Sequence, residues 1–405
     1  MFDVDIIRRD FPILNQTIQG NPLIYLDNSA TTQKPLEVID SVVDFYSTMN
    51  ANIHRGEHFL SDRASTIYES VRTCVQEFIN AKKPQEIVFT SGTTDSLNLL
   101  AHCYGQSFIH RDDEIIITEM EHHSNIVPWQ MLCRRKKASL KVLPVDDNGD
   151  LDLGVLDELM SERTKLISVT HLSNVLGTVN PVKEIIARGH RHNIAVVIDG
   201  AQAIARMPVD VQDLDCDFYV FSGHKLYAET GVGVLYAKEH LLHAMPPYRY
   251  GGGMISSVRF DKTTFADLPF KFEAGTSNIS AVISLGKALE YVNRIGIETI
   301  QSHEMMLTSY AVEQLQKIDG VTVYANPVNR CGVVSFNIEG IHHYDAVLLL
   351  NSMGIALRSG LHCAEPLMRH YQVSGTLRAS FAVYSSKADI DALVNGIKKV
   401  QEING

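Results

Sequence analysis

A lysine and an aspartate, each just past a short apolar run, are the residues of this chain best placed to do chemistry. Phe218-Tyr219-Val220-Phe221 leads into Ser222-Gly223-His224-Lys225, and Ile194-Ala195-Val196-Val197-Ile198 leads into Asp199-Gly200-Ala201-Gln202. Both runs read as buried strands. An amine at a buried strand end is partly desolvated, which lowers its pKa and makes it nucleophilic, the state needed for a Schiff base with an aldehyde cofactor. A carboxylate in such a place needs a cation or donors to offset its burial. A protonated pyridine nitrogen is such a cation, and pyridoxal phosphate enzymes use an aspartate this way to keep the ring able to accept electrons. Gln202 could then reach the ring's phenolic oxygen, and Ser222 and His224 are donors suited to a phosphate. Taken alone, the lysine stretch reads equally as a strand followed by a surface loop with a solvated lysine.

Other stretches offer groups that such chemistry needs. Glu86-Ile87-Val88-Phe89-Thr90 reads as a strand, and Ser91-Gly92-Thr93-Thr94-Asp95 opens a helical pattern through Leu97, Leu99 and Leu100. Free amides, hydroxyls and the positive dipole end there make an anion site, or only an N-cap. His122, beyond the strand run Glu114-Ile115-Ile116-Ile117-Thr118, could stack on a planar cofactor and carry protons near neutral pH, or cap a helix. Cys363 differs from the other five cysteines. It follows the polar stretch Arg358-Ser359-Gly360-Leu361-His362, whose two potential cations would favour a thiolate, although a buried loop thiol fits as well. Arg378 leads a strand among apolar neighbours and needs an anion, either a substrate carboxylate gripped bidentately or an internal Asp or Glu. His54 and His58 are at i, i+4 spacing, but no third ligand follows at a recognised spacing, so no metal site is expected.

Asp199-x-x-Gln202, Ser222-Gly223-His224-Lys225, Met120-Glu121-His122-His123-Ser124-Asn125-Ile126-Val127-Pro128-Trp129 and Arg358-Ser359-Gly360-Leu361-His362-Cys363-Ala364 occur as an ordered set. The chain resembles the SufS/CsdA-type (group II) cysteine desulfurases, fold-type-I pyridoxal phosphate enzymes, from Tyr25-Leu26-Asp27-Asn28 to Asp391-Ala392-Leu393-Val394. The resemblance implies pyridoxal 5'-phosphate anchored by Lys225, with Asp199 on its ring nitrogen and His122 stacked on the ring. Thr93, Thr94, Gln202, Ser222 and His224 would also bind it, and Thr276 would reach the phosphate of the other subunit of a homodimer. It implies Cys363 as the nucleophile that takes sulfur from L-cysteine as a persulfide, leaving alanine. Arg378 would hold the substrate carboxylate, with Arg358 nearby and Asn174 in contact with cofactor or substrate. It further implies a SufE-like acceptor serving iron–sulfur cluster assembly. Selenocysteine lysis or cysteine sulfinate desulfination is the alternative in the same cofactor class, and a non-catalytic sulfur-handling scaffold the alternative in another. Ser91, Leu361 and Ala228-Glu229 depart from the family's usual residues, with the acceptor dock and loop mobility as what they would alter.

The elements that must position these residues alternate in type. Strand runs near 86–90, 114–118, 165–170, 194–198, 218–221 and 231–236 are separated by helical patterns, which indicates an α/β fold with a doubly wound, mostly parallel sheet. Together with the resemblance this predicts a seven-stranded-type sheet in a large domain over 21–263, with 1–20 and 264–405 forming a smaller α+β domain. Helices are expected near 283–295 and 299–317. The 405 residues are 45% hydrophobic with a net charge of −11, which is enough for a large core and argues against nucleic acid as a partner. No apolar run reaches the roughly 18 residues of a membrane span, and no signal-peptide core opens the chain, so a cytoplasmic location is expected.

Overall fold

The computed structural model describes residues 2–404. Its centre is a seven-stranded sheet of β1 (Ile87–Thr90), β2 (Glu114–Thr118), β3 (Ser139–Leu143), β4 (Thr164–Thr170), β5 (Ala195–Asp199), β6 (Phe218–Ser222) and β7 (Gly233–Ala237), in the order β1-β7-β6-β5-β4-β2-β3. All neighbours are parallel except β7, which runs antiparallel to both β1 and β6.

The continuous apolar runs are explained by burial on both faces. Phe218 and Val220 enter one core, with Leu97, Leu100, Trp129 and Leu132 from the helices Thr93–Phe108 and Val127–Lys136. Tyr219 and Phe221 enter the other, with Val71, Val75, Ile185 and Leu289 from the helices Phe59–Phe78, Val182–Arg191 and Ile279–Ile295. A strand covered on both faces has no polar alternate positions, so it reads as uninterrupted hydrophobicity.

The carboxyl ends of β1, β2, β4, β5 and β6 share one edge. Asp199 lies opposite Thr170 and Val220, and Gly233 lies opposite both Thr90 and Ser222. Gly233 admits no side chain, because a Cβ there would fall 2.3 Å from the Cα of Gly92. Gly233→Ala is therefore expected to destabilise the protein by about 1–3 kcal/mol, with Gly252→Ala, where a Cβ meets nothing within 4 Å, unchanged; urea unfolding of the two variants checks this.

A second sheet of four antiparallel strands holds β8 (Val321–Val323), β9 (Val333–Ile338), β11 (Arg358–Gly360) and β12 (Thr376–Ser380), in the order β8-β9-β12-β11. Between β9 and β11, Ile355–Ala356 (β10) pairs in parallel with Ile24–Tyr25. This sheet has its own core with the helices Ile297–Gln316 and Lys387–Asn404, including Leu307, Phe336, Leu377 and Leu393. The helix Ile279–Ile295, expected within the small lobe, shares its buried side chains with the core of the large sheet. Among the described residues no helix is long and apolar enough to cross a membrane.

Candidate active site

One cavity of about 220 Å³ lies at the carboxyl edge of the large sheet, where β11, β12 and the turn after β11 close over it. It is lined by every residue expected to bind cofactor or substrate or to act in catalysis except Thr276: Thr93, Thr94, His122, Asn174, Asp199, Gln202, Ser222, His224, Lys225, Arg358, Cys363 and Arg378. A larger groove of about 860 Å³ holds Thr276 and Arg55 but neither Lys225 nor Asp199, so size does not mark the chemistry here. Thr276 sits exposed in the turn before the helix Ile279–Ile295, and this chain does not bring it to the cavity.

Lys225 ends a short 3-10 turn directly after β6. Among the described residues its ammonium makes no ion pair, and burial is the main cause that lowers it to about 8, with Asp199 opposing and Arg378 assisting the shift. The peptide before it is pinned. The His224 carbonyl accepts from Thr31 Oγ1 (3.0 Å), Thr32 N (3.2 Å), Thr32 Oγ1 (3.2 Å) and Lys34 Nζ (2.9 Å). Four donors on one oxygen fix where the Lys225 side chain starts.

Asp199 ends the neighbouring strand, and its Oδ1 accepts from Ala201 N at 2.9 Å. It is 4% exposed, and burial raises its pKa, opposed by that amide and by Lys225. The next residue must be glycine, since a Cβ on Gly200 would sit 2.0 Å from the Tyr219 ring. Gln202 donates to Ser29 O at 2.8 Å and accepts from Arg206 Nη1 at 2.8 Å. Arg206 in turn pairs at 3.0 Å with Glu304, buried on the helix Ile297–Gln316, which ties the second lobe to the cavity wall.

At one end the helix Thr93–Phe108 begins. Ser222 Oγ accepts from Thr93 N at 2.8 Å and lies 2.7 Å from Thr93 Oγ1, while Thr94 Oγ1 and Ser124 Oγ are 2.7 Å apart. Hydroxyls, a helix N-terminus and His224 make this an anion cradle. At the other end Arg378, 2% exposed, donates to Asn174 O (3.0 Å) and Asp27 Oδ1 (3.1 Å), and its Nε has no partner. The internal carboxylate is therefore Asp27, and Nε is left as a free donor toward the cavity. Arg358 lies 3.9 Å from the same Asp27 and is half exposed.

Burial sets the charge of three histidines. His122 is lowered to about 3, so near neutral pH it is an uncharged ring. Its Nδ1 accepts from Ser124 N, which leaves Nε2–H as its donor. His362, read as a potential cation beside Cys363, is lowered to about 2 and is neutral. His224 is lowered to about 4. The cations left in the cavity are the guanidinium groups of Arg378 and Arg358 and, near neutral pH, the ammonium of Lys225. The i, i+4 pair His54 and His58 is not helical either: His54 has φ +72° and contacts Glu69, and His58 caps the helix Phe59–Phe78. Among the described residues no three metal-ligating side chains converge.

Ser29, Ala30, Ser124 and Thr170 also line the cavity and were not anticipated. Ser29 belongs to the polar loop before Thr31, whose Ser and Thr content gives no sign of which strand end it caps.

A planar, anionic ligand fits this donor set: a nucleophilic amine and a buried carboxylate at adjoining strand ends, an anion cradle at one end, and unpartnered Arg378 Nε and His362 Nδ1 at the other. The chain matches the family model described as aminotransferase class-V over residues 24–393. It is 49% identical to a cysteine desulfurase of Cronobacter sakazakii, over 100% of both chains. Among solved structures, the cysteine desulfurase CsdA from Escherichia coli, in its S-sulfonic acid form, superposes with a TM-score of 0.92 at 40% identity, covering 100% of this chain and 99% of that one. The apo cysteine desulfurase from Thermococcus onnurineus superposes at 0.94 with 38% identity, over 99% and 98%.

Proposed function

We propose, because this chain belongs to the aminotransferase class-V family, that it is a pyridoxal phosphate-dependent cysteine desulfurase, which converts L-cysteine to L-alanine and retains the sulfur as a persulfide on Cys363. The observation that carries the reading is the cavity itself: Lys225 and Asp199 at neighbouring strand ends, with the exposed thiol of Cys363 at the rim of the same space.

Lys225 would anchor the cofactor, with Asp199 as the partner of its ring nitrogen, His122 to stack on the ring and Gln202 to meet its oxygen. Thr93, Thr94, Ser222 and His224 hold its phosphate. When bound, the ring supplies an electron sink for charge developing on the carbon beside the substrate carboxylate. Arg378 holds that carboxylate through the donor it has free, with Arg358 and Asn174 beside it, which fixes the direction of the Cα–H bond. The amine of Lys225, lowered to about 8, can hold or release a proton at Nζ near neutral pH. Cys363, as thiolate, forms the new S–S bond as the substrate's C–S bond breaks; the electron pair of the broken bond stays on the substrate's Cβ, which takes up a proton and becomes the methyl group of alanine.

The reading is tested by alanine formation from L-cysteine together with mass detection of sulfur added to Cys363; absence of both rejects it. Arg378→Lys keeps the charge but loses the planar fork. It is expected to raise KM for cysteine roughly 10- to 100-fold, the loss of one or two charge-assisted hydrogen bonds, with the bound-cofactor spectrum unchanged. Unchanged KM would remove Arg378 from substrate binding.

The same proposal includes a homodimer in which Thr276 of each chain completes the other's phosphate site, and a division into a large lobe over 21–263 and a smaller one over 1–20 and 264–405, with the helix Ile279–Ile295 packed on the large lobe. It also includes a SufE-like acceptor for the persulfide, iron–sulfur cluster assembly as its use, and a cytoplasmic location. Sedimentation of the protein, and loss of cofactor affinity in Thr276→Ala, test the dimer. Persulfide transfer to a purified SufE-like protein tests the acceptor.

A further inference from the structure

His123 follows His122 directly, yet no step above uses it. It faces the opposite way, into the turn that carries Cys363. Its main-chain N–H donates to the Cys363 carbonyl at 2.6 Å, and its ring Nε2 accepts from the Glu365 amide at 3.0 Å. An acceptor at Nε2 requires the proton on Nδ1, so the ring bonds in its neutral form.

The turn it touches is under strain. His362 and Cys363 both take left-handed backbone angles, φ +51° and +55°, successive and neither of them glycine. Such a pair persists only where the surroundings hold it. On the His362 side the turn is held by Asn174 Nδ2 to His362 O at 2.8 Å, and by His362 Nε2, 3.0 Å from Thr376 O and Oγ1. Ala364 N closes it on Leu361 O at 2.9 Å. Beyond Cys363, the two bonds from His123 span the reactive residue, one at its own carbonyl and one at Glu365, where the helix Glu365–His370 begins.

We propose that His123 is a positioning residue: it latches the strained Cys363 turn from behind, and so sets how the thiol is presented to the cavity. The inference rests on the desulfurase reading for its use, but the latch is a property of the fold. With the ring acceptor gone, the Glu365 amide loses its partner and the turn relaxes from its left-handed angles more often. The thiol then spends less time over the cavity and more in solvent.

The test compares His123→Ala with His123→Gln, whose Oε1 can stand near the place of Nε2 and accept the same amide. In protein without added cofactor, His123→Ala is expected to speed alkylation of Cys363 by iodoacetamide, and hydrogen exchange of Ala364 and Glu365, by roughly two- to tenfold, the loss of one neutral hydrogen bond. With cofactor and L-cysteine it should lower kcat by a similar factor and leave KM unchanged. His123→Gln should restore all of these toward the parent values. Equal alkylation and exchange in the parent and His123→Ala overturns the latch. So does equal acceleration in the Ala and Gln variants, because the acceptor would then not be what matters. Failure of the desulfurase reading looks different: the parent protein would make no alanine, while alkylation and exchange would still separate the variants.

Discussion

Cys363→Ala is expected to lose alanine formation from L-cysteine by a factor on the order of 10³ to 10⁶, the scale for deleting a nucleophile, while the protein still binds its cofactor. The separation of the two effects follows from where the residue sits. Cys363 is exposed at the rim of the cavity, and the hydrogen bonds of its turn run to His123, Asn174 and Thr376, not to the anion cradle or to Asp199. Removing one sulfur atom there leaves Ser222, Thr93 and the His224 clamp in place. Selenocysteine and cysteine sulfinate have leaving groups that depart more readily, so their turnover should fall far less in the same variant. Steady-state alanine assays on the three substrates check this, and normal desulfuration of cysteine by Cys363→Ala would end the nucleophile assignment.

What the sequence disclosed, and what it hid, divides along physical lines. Asp199 was legible because it ends a five-residue strand buried on both faces, and Lys225 because it closes the short turn after another, each strand leaving an unbroken apolar run before polar residues. β3 was missed because, unlike the covered edge strand β1, it is an edge strand exposed at Ser139 and Val142 and buried only at Leu143, so its run is neither continuous nor cleanly alternating. The 20-residue helix Phe59–Phe78 was legible only as a helical pattern around Cys74, because its buried side includes Ser61 and Arg72, whose types do not announce a core. The clamp on the His224 carbonyl joins residues about 190 positions apart, and Arg206 meets Glu304 across the two lobes. No local pattern encodes either pair. Charge was the least legible property. A sequence presents His122 and His362 as titratable near neutrality, and only their depth in the folded chain makes both neutral.

That depth also shapes the second large effect. Lys225→Ala removes the anchor and a proton carrier together, and the rate of alanine formation should fall roughly 10²- to 10⁴-fold from the proton-transfer role alone. The yellow colour of the bound cofactor, and its fixation by borohydride, should be absent, and colour that borohydride still fixes would contradict the anchor. A further signature needs no cofactor. Lys225 is lowered from 10.5 to about 8 in the folded chain, chiefly by burial. Between those values the unfolded chain binds more protons at this residue than the folded one, so this group makes stability rise with pH across the window. Below pH 8 the full cost of burying the ammonium is present, and above 10.5 none of it remains. Lys34, lowered to about 7, adds a rise of its own that begins at lower pH, but it is present in both proteins and cancels in their difference. Urea midpoints of the cofactor-free parent and Lys225→Ala, measured from pH 7 to 10.5, should therefore diverge in favour of the parent as pH rises. Parallel profiles would mean that the amine is not desolvated, and an amine at its ordinary pKa would be almost wholly protonated at neutral pH and unable to attack an aldehyde at a useful rate.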